Sequence, residues 1–384
     1  GDRPVSLVQT DAEPGQLSPD YGVFGRWDLS NAACWTADLP AELRGSSPPA
    51  LRVRYTGTLY APPDERSFSR ERIAFDVAGT IGSEGIYLSP AAFWYPRVPD
   101  DLAYHRVTAR LPEGWSCVTD GVLVSVEGAP STVTYRSDRP TAGLNFSAGP
   151  FVVDAVDHHG VRIATYMLPP QASLSEDYLD ACKRFIDRYS TLIAPYPFPG
   201  FAVVDNFLPS GYGMPGWTLL GSEVLRLPFI KRISLGHEIL HNWFGNSLLV
   251  DYRGGNWCEG LTVYLADYSY KEDADSLAAV DYRMNLLRDF ADYVRPDNDY
   301  PLSQFTERSD PHDRAIGYGK AMMVFHMLRR MCDQRAPGRF IDAVGEVYRS
   351  RRWNAITWDD WRTAFETAVG MRLDWFFEQW IERP

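Results

Sequence analysis

HEILHNWFGN, residues 237–246, decides the reading of this chain. On a helix, residues four apart share a face, so His237 and His241 can point their rings at one ion, with Glu238 beside them. Catalytic zinc takes three protein ligands and keeps a further position open for water. Ile233, Leu240, Trp243 and Phe244 flank the histidines with apolar positions, and Gly245-Asn246 supplies a helix stop. A chance histidine pair on a helix is the alternative, and it leaves Glu238 without a purpose. Downstream, CEGLTVYLADY (258–268) reads as another helix, with Leu261, Leu265 and Tyr268 in phase. Antiparallel packing of the two helices would bring Glu259 to the histidines as a third ligand. Taken alone, a carboxylate at a helix start can equally serve the helix dipole.

Upstream, residues 1 to about 168 read as β structure. Leu51–Tyr60, Val122–Gly128, Ser131–Ser137, Phe151–Val156 and Val161–Leu168 alternate apolar and polar residues between Gly, Pro and Asp clusters. Many short strands with regular turns predict an antiparallel sandwich. The pattern changes after Pro169-Pro170. Ser175 is placed to cap a helix carrying Tyr178, Leu179, Cys182, Phe185, Ile186 and Tyr189 on one face. FAVVDNF (201–207) reads as a strand. Helices follow around 232–244, 259–271, 275–293, 318–333, 338–350 and 358–369, the last opened by a Thr357/Asp360 capping box. The fold expected is α+β, with a β-sandwich over 1–168 and a mostly helical domain with a small sheet over 169–384.

Bulk composition narrows the partners. The 384 residues include 12 Trp and 21 Tyr, enough for large cores, and the net charge is −12, which repels phosphate backbones and argues against nucleic acid. No stretch has the roughly 18 consecutive apolar residues of a membrane span. The five cysteines form no CxxC pair, so a Cys-rich zinc module is excluded. Cys182 reads as a buried thiol, and Cys34 and Cys117 can pair in an oxidising compartment. The chain opens GDRPVSL without Met, as a mature form after signal removal or a trimmed chain would; a periplasmic or secreted location is slightly favoured. Nothing in the sequence fixes the oligomeric state.

HEILHNWFGN, then CEGLTVYLADY, then GYGK (317–320) resemble, in that order, the motifs of the aminopeptidase N family of gluzincins. GIYLSP, LNFSAGPF and the closing LDWFFEQWIERP extend the similarity over nearly the whole chain. The resemblance implies a thermolysin-like catalytic domain and one zinc per chain, on His237, His241 and Glu259. It further implies that Glu238 is the general base, and that Tyr318 stabilises the oxyanion of the transition state. The substrate would be a peptide or a small amide.

The chain departs from the family at three places. Seventeen residues separate His241 from Glu259, one fewer than usual; the loss falls in the DYRGGNW loop, where length changes cost little. Cys258 replaces the Asn before the Glu. Second, the family's Gly-x-Met-Glu-Asn strand is matched by SGYGMPGWTLL. Gly213 and Met214 remain as main-chain substrate contacts, but Pro215 stands where a glutamate would grip the substrate amine. A glutamine contact is also missing near Ala91. Glu223, or Asp313, is the candidate replacement acid. Third, the family's C-terminal helical domain is not in this sequence, so a more open cleft is expected.

Three functions are consistent with these residues. One is a zinc peptidase, an aminopeptidase or an endo-acting or blocked-substrate relative; another is a zinc hydrolase of a different bond, such as a small amide or an epoxide. The third is a non-catalytic zinc-binding interaction protein, and it leaves Glu238 and Tyr318 unexplained. The pair His158-His159 is disfavoured as a second metal site, because neighbours on a strand point to opposite faces. His105, His312 and His326 read as structural.

Overall fold

A computed structural model describes residues 7–9, 35–37, 52–59, 79–96, 102–141, 143–208 and 211–384. Cys34, Leu51 and Tyr60 lie outside the described residues.

The first half contains a four-stranded antiparallel sheet, in the order Gly79–Ile81, Ile86–Leu88, Phe146–Gly149, Ser116–Thr119. A three-stranded one runs Arg106–Arg110, Thr132–Arg136, Val122–Glu127. Leu88, Cys117, Phe146 and Ala148 from the first sheet and Val133 and Tyr135 from the second share one apolar core. That is a sandwich, as the alternation predicts. Residues 52–59 are a correction: they form no strand, although the main chain of Leu59 accepts a bond from Ile81 N.

The central layer is a five-stranded mixed sheet, ordered Val152–His158, Val161–Met167, Gly200–Asn206, Trp217–Gly221, Gly211–Met214. Its faces part by strict alternation. Ala164, Tyr166, Ala202, Val204, Trp217 and Leu219 pack towards the sandwich. Ile163, Met167, Phe201, Val203 and Leu220 pack into the large helical core. A sheet covered on both sides wants near-continuous apolar strands, which FAVVDNF supplies. The boundary expected at residue 168 therefore falls inside a layer. Val161–Met167, assigned to the first half, pairs with Gly200–Asn206, and Val152–His158 joins the same sheet by pairing with Val161–Met167. Alternation tells which face of a strand is buried, but not which sheet it joins.

Helices cover the far face. Ser175–Leu192 buries the predicted stripe of Tyr178, Leu179, Cys182, Phe185, Ile186 and Tyr189. Ser175 does not cap it; its hydroxyl bonds Thr165 Oγ1 instead. The helices Ser276–Tyr293, Arg339–Arg351 and Trp358–Val369 match their predicted spans, and the Thr357/Asp360 capping box is formed. The other three helical segments each contain a π turn: Ile230–Ser234, Tyr264–Tyr268 and Ala315–Lys320. All three flank the chemistry described next, where such turns concentrate. No helix among the described residues is long and apolar enough to cross a membrane.

Candidate metal centre

The π turn Ile230–Ser234 runs into the short helix Leu235–Leu240, which carries His237 and Glu238 and is capped by His241. Leu235, Ile239 and Leu240 are fully buried and lock the helix to the core. The next helix, Cys258–Val263, presents Glu259 in its first turn. Its close neighbour is the helix Ala321–Asp333: a Cβ on Gly260 would meet Ala321 Cβ at 2.3 Å. Only glycine fits there, and the close approach fixes Glu259 opposite the histidines.

His237 Nε2 lies 3.2 Å from His241 Nε2, and Glu259 Oε2 lies 3.6 and 3.7 Å from the two. Those are close to the edges of a tetrahedron with metal–ligand bonds of 2.0–2.2 Å, about 3.3–3.6 Å. Both outward ring nitrogens are engaged: His237 Nδ1 lies 2.7 Å from Asp267 Oδ2, and His241 Nδ1 lies 3.2 Å from the Phe244 carbonyl. If each Nδ1 donates its proton to that oxygen, two imidazole lone pairs and a carboxylate face one point.

Such a triangle demands positive charge. Burial works against a charged His237, yet Asp267, with Glu259 and Glu238 behind it, holds the ring well above its ordinary range. Burial alone would raise Glu259 too, but His241, His237 and the Tyr318 hydroxyl hold it at about 2. The donor set, the spacing and the charge all fit zinc.

Asp267 is the residue that the sequence reading misses, and its carboxylate orients the His237 ring, a frequent partner of metal-bound histidine. Cys258, in place of the family's Asn, is buried with Sγ 3.5 Å from His241 Nδ1. Burial raises its thiol well above the ordinary range. Asn242, fully buried, accepts a bond from Gly216 N at 2.9 Å and so ties the histidine helix to the sheet edge. Trp243 Nε1 donates to the Ala194 carbonyl at 2.8 Å.

That edge is Gly211–Met214, the last strand of the mixed sheet. A Cβ on Gly213 would stand 2.9 Å from Glu238 Oε2, so the missing side chain brings backbone and carboxylate together. Met214 pairs with Trp217 across Pro215-Gly216, with Gly216 at φ +83°. Pro215 is thus a turn residue and offers nothing to a substrate amine.

Tyr318 sits in the π turn Ala315–Lys320, with its hydroxyl near enough to Glu259 to help hold that carboxylate low. A cavity of about 290 Å³ holds Tyr318, His237 and Glu238, with Asp267, Asp289 and Arg308 also in its wall. A larger one of about 520 Å³, between Asp120 and Arg139 on the sandwich side and Gly216 and Tyr252 beyond, contains none of the three converging donors. The chemistry lies in the smaller.

Neither replacement acid lines the smaller cavity. Glu223 is exposed in the short helix Ser222–Leu225 and lines neither cavity. Asp313 is committed elsewhere: it accepts from the Tyr300 hydroxyl at 2.6 Å and from Ser309 N and Asp310 N at 2.9 Å.

Residues 232–380 match the peptidase family M1 domain. Aminopeptidase N of Lactococcus lactis subsp. lactis is 23% identical over 253 residues, covering 59% of this chain and 28% of the relative. Probable aminopeptidase 1 of Sulfurisphaera tokodaii is 20% identical over 312 residues, covering 74% and 38%. The chain thus spans well under half the length of the curated relatives it matches. A crystal structure of the M1 zinc metallopeptidase from Deinococcus radiodurans superposes with a TM-score of 0.63 at 18% identity, covering 80% of this chain and 72% of that one. A mutant of that metallopeptidase, bound to a Tyr-Ser-Ala substrate, gives 0.60 at 15% identity over the same shares.

Proposed function

We propose that this chain, an aminopeptidase N-like gluzincin whose residues 232–380 form a peptidase family M1 domain, hydrolyses peptide bonds with one zinc held by His237, His241 and Glu259. The single observation that carries the reading is the triangle of donors with edges of 3.2, 3.6 and 3.7 Å, with Glu238 in the wall of the adjoining cavity.

Zinc bound there supplies a Lewis acid, polarising the scissile carbonyl and making water acidic enough to attack near neutral pH. The remaining work belongs to the chain. The substrate backbone extends along the open edge of Gly211–Met214 and takes main-chain bonds from it. Glu238 accepts a proton from the attacking water and delivers it to the leaving amine. The Tyr318 hydroxyl, held at the cluster by Glu259, turns its proton to the oxyanion as charge develops there.

Specificity follows from what is missing. Pro215 occupies the turn, Glu223 is not in the cavity wall, and Asp313 is bound by Tyr300, Ser309 and Asp310. Glu238, Asp267 and Asp289 line the cavity and Glu259 stands at the donor cluster; of these, Asp289 has no other task in the proposed reaction. The reading is therefore an aminopeptidase with weak amine anchoring, and the same absence favours a second reading, an endo-acting or blocked-substrate amide hydrolase. Mass spectrometry of a digested peptide mixture separates them: release of single amino-terminal residues supports the first, and internal cuts support the second.

A further inference from the structure

We propose that His158, His159 and Asp187 form a second metal site, open to solvent and suited to a divalent transition ion such as zinc, nickel or copper. Neighbouring residues on a strand diverge, which would forbid it, but the strand Val152–His158 ends at His158, paired with Val161. His159 and Gly160 are the two-residue loop of the hairpin, both at positive φ, 54° and 80°. That is the loop geometry favoured between twisted antiparallel strands, where Asn-Gly or Asp-Gly is usual. A histidine at positive φ is uncommon. Here the turn swings its ring back beside His158, with ring centroids 4.4 Å apart.

The third donor comes from the helix Ser175–Leu192. Asp187 Oδ1 lies 2.7 Å from His158 Nε2. One donor atom from each of the three residues lies within 4.8 Å of the others. A four-coordinate ion needs edges of about 3.4 Å. His159 and Asp187 are exposed, so side-chain rotation closes the gap without moving the backbone. Two imidazoles and a carboxylate suit zinc, nickel and copper, and water completes the shell. Bound there, an ion would clamp the hairpin tip to the helix. None of the three residues belongs to the HEILH cluster, and the inference does not depend on the peptidase reading.

The competing account is a plain His158–Asp187 ion pair, which has no use for His159. His159→Asn separates the two: Asn-Gly keeps the turn and leaves the ion pair intact, but removes a donor. The measurement is zinc bound per full-length chain after equilibrium dialysis against buffered free zinc, together with the shift in melting temperature on adding zinc. The wild type is expected to bind one more equivalent than His159→Asn, or to bind that equivalent at least tenfold more tightly, and to gain thermal stability that the variant does not. Asp187→Asn should lose the same equivalent. Equal zinc content and equal thermal shifts in wild type and His159→Asn would overturn the site, and retention by Asp187→Asn would overturn the three-donor assignment.

Discussion

His237 Nδ1 lies 2.7 Å from Asp267 Oδ2, and the carboxylate belongs to a helix segment eight residues beyond Glu259. One helical run therefore supplies both a donor to the metal and the group that orients another donor. Asp267→Asn should keep the fold and weaken zinc binding by roughly 10–100-fold, the usual cost of losing such a partner. Competition with a chelator measures it. Unchanged affinity would reduce Asp267 to a bystander.

Two glycines in the motifs separate stability from activity. A Cβ on Gly213 comes too close, at 2.9 Å, only to the far end of the Glu238 side chain, its other neighbours lying at 3.7 Å or more, whereas one on Gly260 meets Ala321 Cβ at 2.3 Å and its main chain at 2.8 Å. Gly213→Ala should melt near the wild-type temperature but lose turnover, because the base is displaced. Gly260→Ala should cost on the order of 1–3 kcal/mol of stability through overpacking. Thermal melts and peptide turnover on the same preparations check both; a strongly destabilised Gly213→Ala would contradict the account.

Asp120 joins the sandwich to the central sheet. It accepts from Trp217 Nε1 at 2.8 Å and from the main and side chains of Asn145 at 2.9 and 3.0 Å. Burial pushes its carboxyl up to about 6, outweighing those bonds. The folded chain then holds a proton that the unfolded chain has lost, so this group's contribution to stability falls as pH rises from about 4 to about 6. The loss is of order 3 kcal/mol by linkage. The slope of unfolding free energy against pH in that window should be less negative in Asp120→Asn than in the wild type; identical slopes would remove Asp120 as the cause.

Much of this site is legible in the residues. His237, His241 and Glu238 follow from a four-residue spacing, and Glu259 and Tyr318 from long motifs in fixed order. Asp267 is not legible. At 3.6 residues per turn, eight residues leave it about 80° from Glu259 on an ordinary helix. The π turn Tyr264–Tyr268 widens the spiral and brings it back to the same face. The closeness of the two hairpin histidines is hidden for a related reason: alternation holds only within a strand, and His159 is already in the turn. The sheet that Val161–Met167 joins depends on a parallel contact with residues 200–206, which no local pattern encodes.

Weak amine anchoring has its own signature. A hydrogen bond to a charged group contributes about 1.5–3 kcal/mol. With Asp289 in the cavity wall and Glu259 at the cluster left to supply it, acetylating the amino terminus of a good peptide substrate should lower kcat/KM by roughly 10–100-fold. Matched acetylated and free peptides test this, and an unchanged rate would pass the assignment to the endo-acting or blocked-substrate reading.

Tyr318→Phe should lower kcat by about 10²–10³ with little change in KM, because its bond forms mainly in the transition state. Steady-state kinetics on one peptide reads the split, and a change confined to KM would make Tyr318 a binding residue.

The most direct measurement pairs zinc content with peptide turnover in the wild type and in Glu238→Gln. The account predicts that both chains retain the zinc held by His237, His241 and Glu259, and that the variant loses at least about a hundredfold in kcat, the contribution expected of a general base. Near-normal turnover in Glu238→Gln, or a wild type that binds zinc and cleaves no peptide, would contradict it.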